Sequence, residues 1–299
     1  MDQATVIHDG LTLPEGMRWH DGRVWFSDMY ARRVLSVLED GTDLRVEGDL
    51  PAVSVGIDWL PDGRLLVTQW EPASLLRREP DGNFVVHSDL SALCDSRLND
   101  LIVMPDGSAI VGCFGFDIHG NADFRTSRLM RVSPDGDASL VGEPSFFPNG
   151  CALLDGGQAM VVAESFGNRM SVYDVGVDGA LTNRRDWATF GPMPTATSLA
   201  ERFGQMVVGC DGISKPDAEG AIWVADFTGD RAIRVLPGGR IADTVTTARN
   251  LNCFCPALGG ADGRTLFLCA APGDYDPDRD APAGTVQACR VDVPLAASA

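Results

Sequence analysis

The chain has 299 residues, 44% of them hydrophobic, and a formal net charge of −18. That apolar content builds a sizeable core and excludes a disordered chain. The acidic balance offers no basic stripe for phosphates, so we expect neither nucleic acid nor an anionic membrane surface as partner.

The first ten residues, MDQATVIHDG, carry no basic region and no long apolar run. We therefore expect no signal peptide or transmembrane segment, and a cytoplasmic protein. Residues 4 to 8, ATVIH, read as a strand able to complete a last blade and cover its edge. One phrase then recurs along the chain: a tight turn, a short apolar strand, a break, and a second strand. DGRVWFSD begins at Asp21, DGRLLVTQW at Asp62 and DGSAIVGCF at Asp106. GGQAMVVAES begins at Gly156, EGAIWVADF at Glu219 and DGRTLFLCAA at Asp262. Asp-Gly turns supply the positive φ of tight hairpins, and the strands between them are rich in Val, Leu, Ile and Trp. Six copies about 40–50 residues apart predict an all-β, six-bladed β-propeller in which residues 1–299 form one domain. Between the fourth and fifth copies, residues 183–210 read as part of a blade plus a loop.

Eight cysteines are irregularly spaced and form no C-x-x-C. In a cytoplasmic protein they are expected to stay reduced, most of them as small core residues, and structural zinc is not expected. His8, His20, His87 and His119 show no ligand spacing, and Lys215 is the sole lysine and hence the one Schiff-base candidate. Trp25, Trp59 and Trp223 stand within strands and are expected in the core, and His20 is expected to be structural or exposed rather than catalytic.

The chemistry is expected where inner strands begin. Glu15 in LPEGMRW, Asn99 and Asp100 in RLNDLIV, Asn149 in FPNGCAL and Asp211 in GCDGISKPDAEG come from four different repeats. In a propeller such residues converge on the central channel, and carboxylate and amide oxygens there suit a hard divalent cation.

LPEGMRWHDGRVWFSD, SRLNDLIVMPDG, FPNGCALLDGG with VVAESF, and CDGISKPDAEGAIWVAD occur in that order. Together they resemble the gluconolactonase and regucalcin (senescence marker protein-like) lactonases. The resemblance implies one divalent metal ion in the central channel (calcium, zinc, magnesium or manganese), with Glu15, Asn149 and Asp211 as ligands. It implies a substrate-contacting Arg-x-Asn, matched by Arg97 and Asn99, with Asn99 beside the metal or on it. Asp117 in GCFGFD matches a further substrate residue loosely. Cys210 stands where the family has proline, and the segment around Lys215-Pro216 is one residue longer than usual. These departures bear on substrate identity more than on metal binding.

The expected function is metal-dependent hydrolysis of a lactone, such as a sugar lactone, with Asp211 as general base as well as ligand. A cyclase, isomerase or lyase on the same scaffold, or a non-catalytic calcium-binding propeller, are the alternatives.

Overall fold

The computed structural model describes residues 2–297. The described residues form six sheets, five of four strands and one of five, in a six-bladed β-propeller arrangement. The blades span residues 14–49, 54–89, 98–145, 148–189, 210–246 and 252–290. Each Asp-Gly phrase is the turn between the first and second strands of a blade. At the first of these turns Asp21 and Gly22 have φ of 47° and 74°, and the turn joins His20 directly opposite Arg23. Both central residues of a type I′ hairpin need positive φ, which glycine adopts freely and aspartate tolerates.

The apolar run after each turn is the second strand. In blades two to six this strand is buried along its whole length, as in Leu65–Gln69, Ala159–Glu164 and Thr265–Ala271. A strand with neighbours on both edges and apolar layers on both faces has no use for alternation, which explains its continuous apolar sequence. The outer strands Arg45–Asp49 and Phe84–Asp89 are mostly exposed or half-buried, in keeping with their charges.

The described residues divide into two compact units of three sheets each, one formed by residues 55–210 and the other by residues 2–54 with 211–297. In the second of these, Thr5–Leu11 pairs antiparallel with Gly284–Arg290 and is the outer strand of the sixth blade. The expected N-terminal strand is therefore present, with Thr5 opposite Ala288 and His8 opposite Val286. Asp2–Gln3 runs parallel to Ile241–Thr246 and adds a fifth strand to blade five.

The long irregular stretch resolves as expected into Leu181–Thr189, the last strand of blade four, and a loop carrying one short helix, Leu199–Phe203. Arg202 fastens this loop. Its buried guanidinium donates to Phe166 O at 3.0 and 3.2 Å and to Ala196 O at 2.7 Å, and lies 3.6 Å from the centre of the Phe124 ring.

One expectation about cysteine is corrected: Cys94 and Cys113 are joined in a disulfide, their Cα atoms 6.3 Å apart. Cys94 lies in the loop before blade three and Cys113 ends its second strand, directly opposite Leu98. This pairing is made by the hairpin and has no sequence spacing to announce it. Cys151, Cys210, Cys253, Cys255 and Cys269 are buried free thiols, as expected of core residues. Trp223 is buried, Trp25 and Trp59 are half-buried, and His20 packs edge-on against Trp25. Lys215 is exposed. No helix among the described residues is long and apolar enough to cross a membrane.

Candidate active site and metal ligands

Glu15, Asn99, Asn149 and Asp211 share one place in the blade. Each is the second residue of a first strand: Pro14–His20, Leu98–Val103, Pro148–Leu154 and Cys210–Ile213. The sequence suggested positions just ahead of these strands; the structure puts them inside. The reason lies in the ladder. Pairing slips between Glu15 and Arg18, between Leu98 and Leu101, and between Pro148 and Cys151. Such a bulge leaves residues unpaired and turns side chains away from strict alternation. All four residues are buried, between 4 and 9% exposed. The equivalent positions in the other two blades hold Val55 and Cys253.

In the unit that holds the chain termini, Glu15 Oε2 accepts from Gly16 N at 3.0 Å, and Ser27 Oγ donates to Glu15 O at 3.2 Å. Cys253 connects Glu15 with Asp211. Burial pushes its thiol well above the usual range, and the charges of Asp211, Asp226 and Glu15 push it further. Cys253 is thus a neutral thiol in the field of these carboxylates. Asp226 is already matched by Arg231 at 2.9 Å. Gly212 follows Asp211 because a Cβ there would come within 2.5 Å of Cys255 Sγ. The strand bearing Asp211 is thereby allowed to approach the one bearing Cys253 and Cys255.

In the other unit, Asn99 Nδ2 donates to Pro148 O at 3.3 Å, so it stands beside the strand that carries Asn149. Asn149 Nδ2 donates to Ser165 Oγ at 3.1 Å. Just before this strand Phe147 adopts φ of 65°, a left-handed conformation that bulky residues rarely take. Its ring is held against Phe114, with centroids 4.5 Å apart, and against Phe116 and Phe166. The strained residue and the bulge together turn the chain where Asn149 begins. Asp100 has a structural place instead: its Oδ1 accepts from Leu101 N at 2.8 Å, and Gly56 leaves it room.

Arg97 lies with its guanidinium 4.6 Å from the centre of the Trp70 ring. Its Nη1 is 3.9 Å from Asp117 Oδ1, beyond hydrogen-bond reach, and no acceptor meets that buried atom among the described residues. Asp117 is exposed and accepts from Gly120 N at 3.0 Å. Arg97 and Asp117, singled out separately in the RLND and GCFGFD phrases, thus lie side by side. Trp70 and His119 were not singled out. Trp70 directly follows the blade-two strand Leu65–Gln69 in the phrase TQWEP, and no period marks it. His119 stands 5.7 Å from Trp70. Desolvation, then the Arg97 charge, hold its pKa below the usual imidazole value, with Asp117 opposing.

No group of three or more His, Cys, Asp or Glu side chains is placed to hold a metal ion among the described residues. The expected ligand set has only two carboxylates and draws its other oxygens from asparagine.

Residues 13–272 match the family model of the SMP-30/gluconolactonase/LRE-like region. The chain belongs to this family. Among solved structures it resembles a luciferin-regenerating enzyme, with TM-score 0.77 and 18% identity over 98% of both chains. A calcium-binding protein, regucalcin, from Agrobacterium tumefaciens superposes with TM-score 0.76 and 18% identity, over 98% of this chain and 96% of that one. A gluconolactonase from Xanthomonas campestris gives 0.69 and 21%, over 97% and 88%. At these identities the likeness shows the fold, a propeller shared across the SMP-30/gluconolactonase family.

Proposed function

We propose that this protein is a divalent-metal-dependent lactonase acting on a small hydroxylated lactone such as an aldonolactone. The observation that carries this reading is a buried oxygen donor at the same strand position of four blades, in a chain of the gluconolactonase-like family.

The residues fit a cation by their chemistry. Pro148 O can only accept, so the amide nitrogen of Asn99 must face it and coordination would use Oδ1. Asn149 Nδ2 donates to Ser165 Oγ, which leaves its Oδ1 for coordination. Glu15 and Asp211 supply the anionic oxygens, and Cys253, held neutral, adds no thiolate. Oxygen-only donors suit calcium, magnesium or manganese, and zinc where carboxylates suffice. When bound, such an ion supplies Lewis acidity to an ester carbonyl.

The remaining work falls to side chains. Asp211 takes the proton of the attacking water on one carboxylate oxygen while the other is a ligand. Arg97 offers its Nη1 to a ring hydroxyl or to the carboxylate that forms on opening. Asn99 and Asp117 hold the substrate's other oxygens, and Trp70 keeps the guanidinium flat and in place.

The decisive experiment compares the parent with Asp211→Asn and Glu15→Gln in calcium and manganese titration calorimetry and on a panel of aldonolactones. We expect hydrolysis by the metal-loaded parent, with binding weakened in both variants and turnover abolished in Asp211→Asn. Metal binding without turnover of any lactone would point to a calcium-binding propeller. A product that has not gained water would point to an isomerase, cyclase or lyase.

A further inference from the structure

The disulfide sits where it can act on the candidate substrate site. Cys94 and Cys113 bracket Ser96, Arg97 and Asn99, and both cysteines are buried. Ser96 Oγ lies 3.1 Å from Cys113 Sγ and 3.7 Å from Cys94 Sγ, and it accepts from Gly115 N at 2.8 Å. Phe114 N, next to Cys113, donates to Arg97 O at 2.9 Å. The backbone that carries Arg97 is therefore pinned to the second strand of its blade by the covalent bridge, by Ser96 and by this main-chain bond.

Cys113 also lines a surface cleft of about 290 Å³, together with Asp95, Gly115, Arg125, Ser127 and Arg128. The two arginines make the cleft cationic. Arg125 shares its charge with exposed Asp95 at 3.3 Å, and Arg128 donates to Gly142 O and pairs with no carboxylate among the described residues. Surface pairs of this kind yield readily to an incoming carboxylate. A cleft lined by a disulfide cysteine and two arginines fits a small thiol bearing carboxylates.

We propose that the Cys94–Cys113 disulfide is a thiol-exchange site for a low-molecular-weight anionic thiol of the glutathione class, and that its state sets the order of the Arg97–Asn99 segment. The thiolate attacks Cys113 Sγ. A bond forms between the two sulfurs, the Cys94–Cys113 bond breaks, and Cys94 leaves as thiolate and takes a proton from water. A second thiolate then attacks the sulfur of the bound thiol, so that Cys113 leaves as thiolate and the small thiol departs as its own disulfide. The protein gains two thiols and two small thiols are oxidised; the reverse reaction with the small disulfide restores the bridge. With the bridge open, Ser96 and Arg97 lose their covalent anchor and substrate binding weakens. The effect on turnover rests on the lactonase reading; the exchange itself does not.

The test uses the full chain purified without reductant and treated with reduced glutathione or, for comparison, with uncharged 2-mercaptoethanol. Peptide mass mapping should find glutathione on Cys113, and denatured-state thiol counting should find two more thiols after full reduction. Arg125→Ala/Arg128→Ala should slow the glutathione reaction about tenfold and leave the mercaptoethanol reaction nearly unchanged, as expected of electrostatic steering. Amide hydrogen exchange over residues 95–101 should speed up about tenfold in the reduced protein while the other blades keep their protection. With a lactone substrate, reduction should raise KM more than it lowers kcat. All cysteines free in the unreduced protein, glutathione mapped elsewhere, or a glutathione rate insensitive to the double variant would overturn the exchange site. Equal hydrogen exchange in both states would overturn its hold on the Arg97 segment. Neither readout needs an active substrate, so failure of the lactonase reading would be seen separately.

Discussion

Arg97 is the residue whose surroundings say most about the substrate. Its charge is stacked on Trp70, weakly opposed by Asp117, and one buried nitrogen meets no acceptor among the described residues. Leaving a buried donor unmet costs stability, and such a cost is tolerated where a ligand atom completes the bond. Arg97→Ala should lower kcat/KM on a hydroxylated lactone by about 10- to 150-fold, the equivalent of ~1.5–3 kcal/mol for a charge-assisted bond. Calcium affinity should stay nearly constant in calorimetry, and an unsubstituted lactone should respond less. A variant that loses metal, or that keeps full activity, would remove Arg97 from the substrate site. The RLND phrase made Arg97 and Asn99 legible because it is local. Trp70 was not legible, because a cation–π partner is defined by a contact between blades two and three and leaves no periodic mark in the chain.

At the scale of the element, blade four shows how one carboxylate ties a sheet together. Glu164 ends the second strand and is fully buried. It meets Arg169 on the third strand at 3.0 Å, Arg184 on the fourth, and the Phe146 amide just ahead of the first at 2.9 Å. Burial pushes its pKa up, but Arg184, Arg169, Ser171 and the Phe146 amide outweigh it and hold it below its ordinary value. Because the folded pKa is lowered, Glu164 contributes stability above the unfolded carboxyl value of about 4.3 and loses it as pH falls through the folded value. Glu164→Gln takes the carboxylate from two half-buried guanidiniums, of which Arg169 keeps Asp186 at 3.4 Å and Arg184 keeps Pro144 O, and should cost about 3 kcal/mol at pH 7. Urea unfolding of parent and variant should converge as pH drops below about 4. A difference that is constant with pH would mean that packing, and not charge, is the Glu164 contribution. The phrase VVAESF announced the strand but not this role, which depends on arginines 5 and 20 residues later in sequence.

At the scale of the whole molecule, the first and last segments of the chain share a blade. Thr5–Leu11 supplies the outer strand of blade six, and Asp2–Gln3 extends blade five. Without them, Gly284–Arg290 becomes an edge strand with unpaired backbone groups. Deleting residues 2–11 should lower Tm and promote aggregation, seen by scanning calorimetry and light scattering. An equally stable, monodisperse deletion variant would show that this strand is dispensable.

The sequence by itself determined the repeat. Six turns and six apolar second strands recur because a sheet's middle strand is buried on both faces and its hairpin needs positive φ, and both demands are met by neighbouring residues. It also determined which oxygen-bearing side chains begin the first strands, since Glu15, Asn99, Asn149 and Asp211 each stand in a short local phrase. Tertiary structure alone decided how those side chains are turned. The bulges at Glu15, Asn99 and Asn149 and the left-handed Phe147 arise from pairing and ring packing between strands. It alone joined Cys94 to Cys113 and laid Arg97 on Trp70, because a bond or a stack forms where folding brings two atoms together, whatever their separation along the chain.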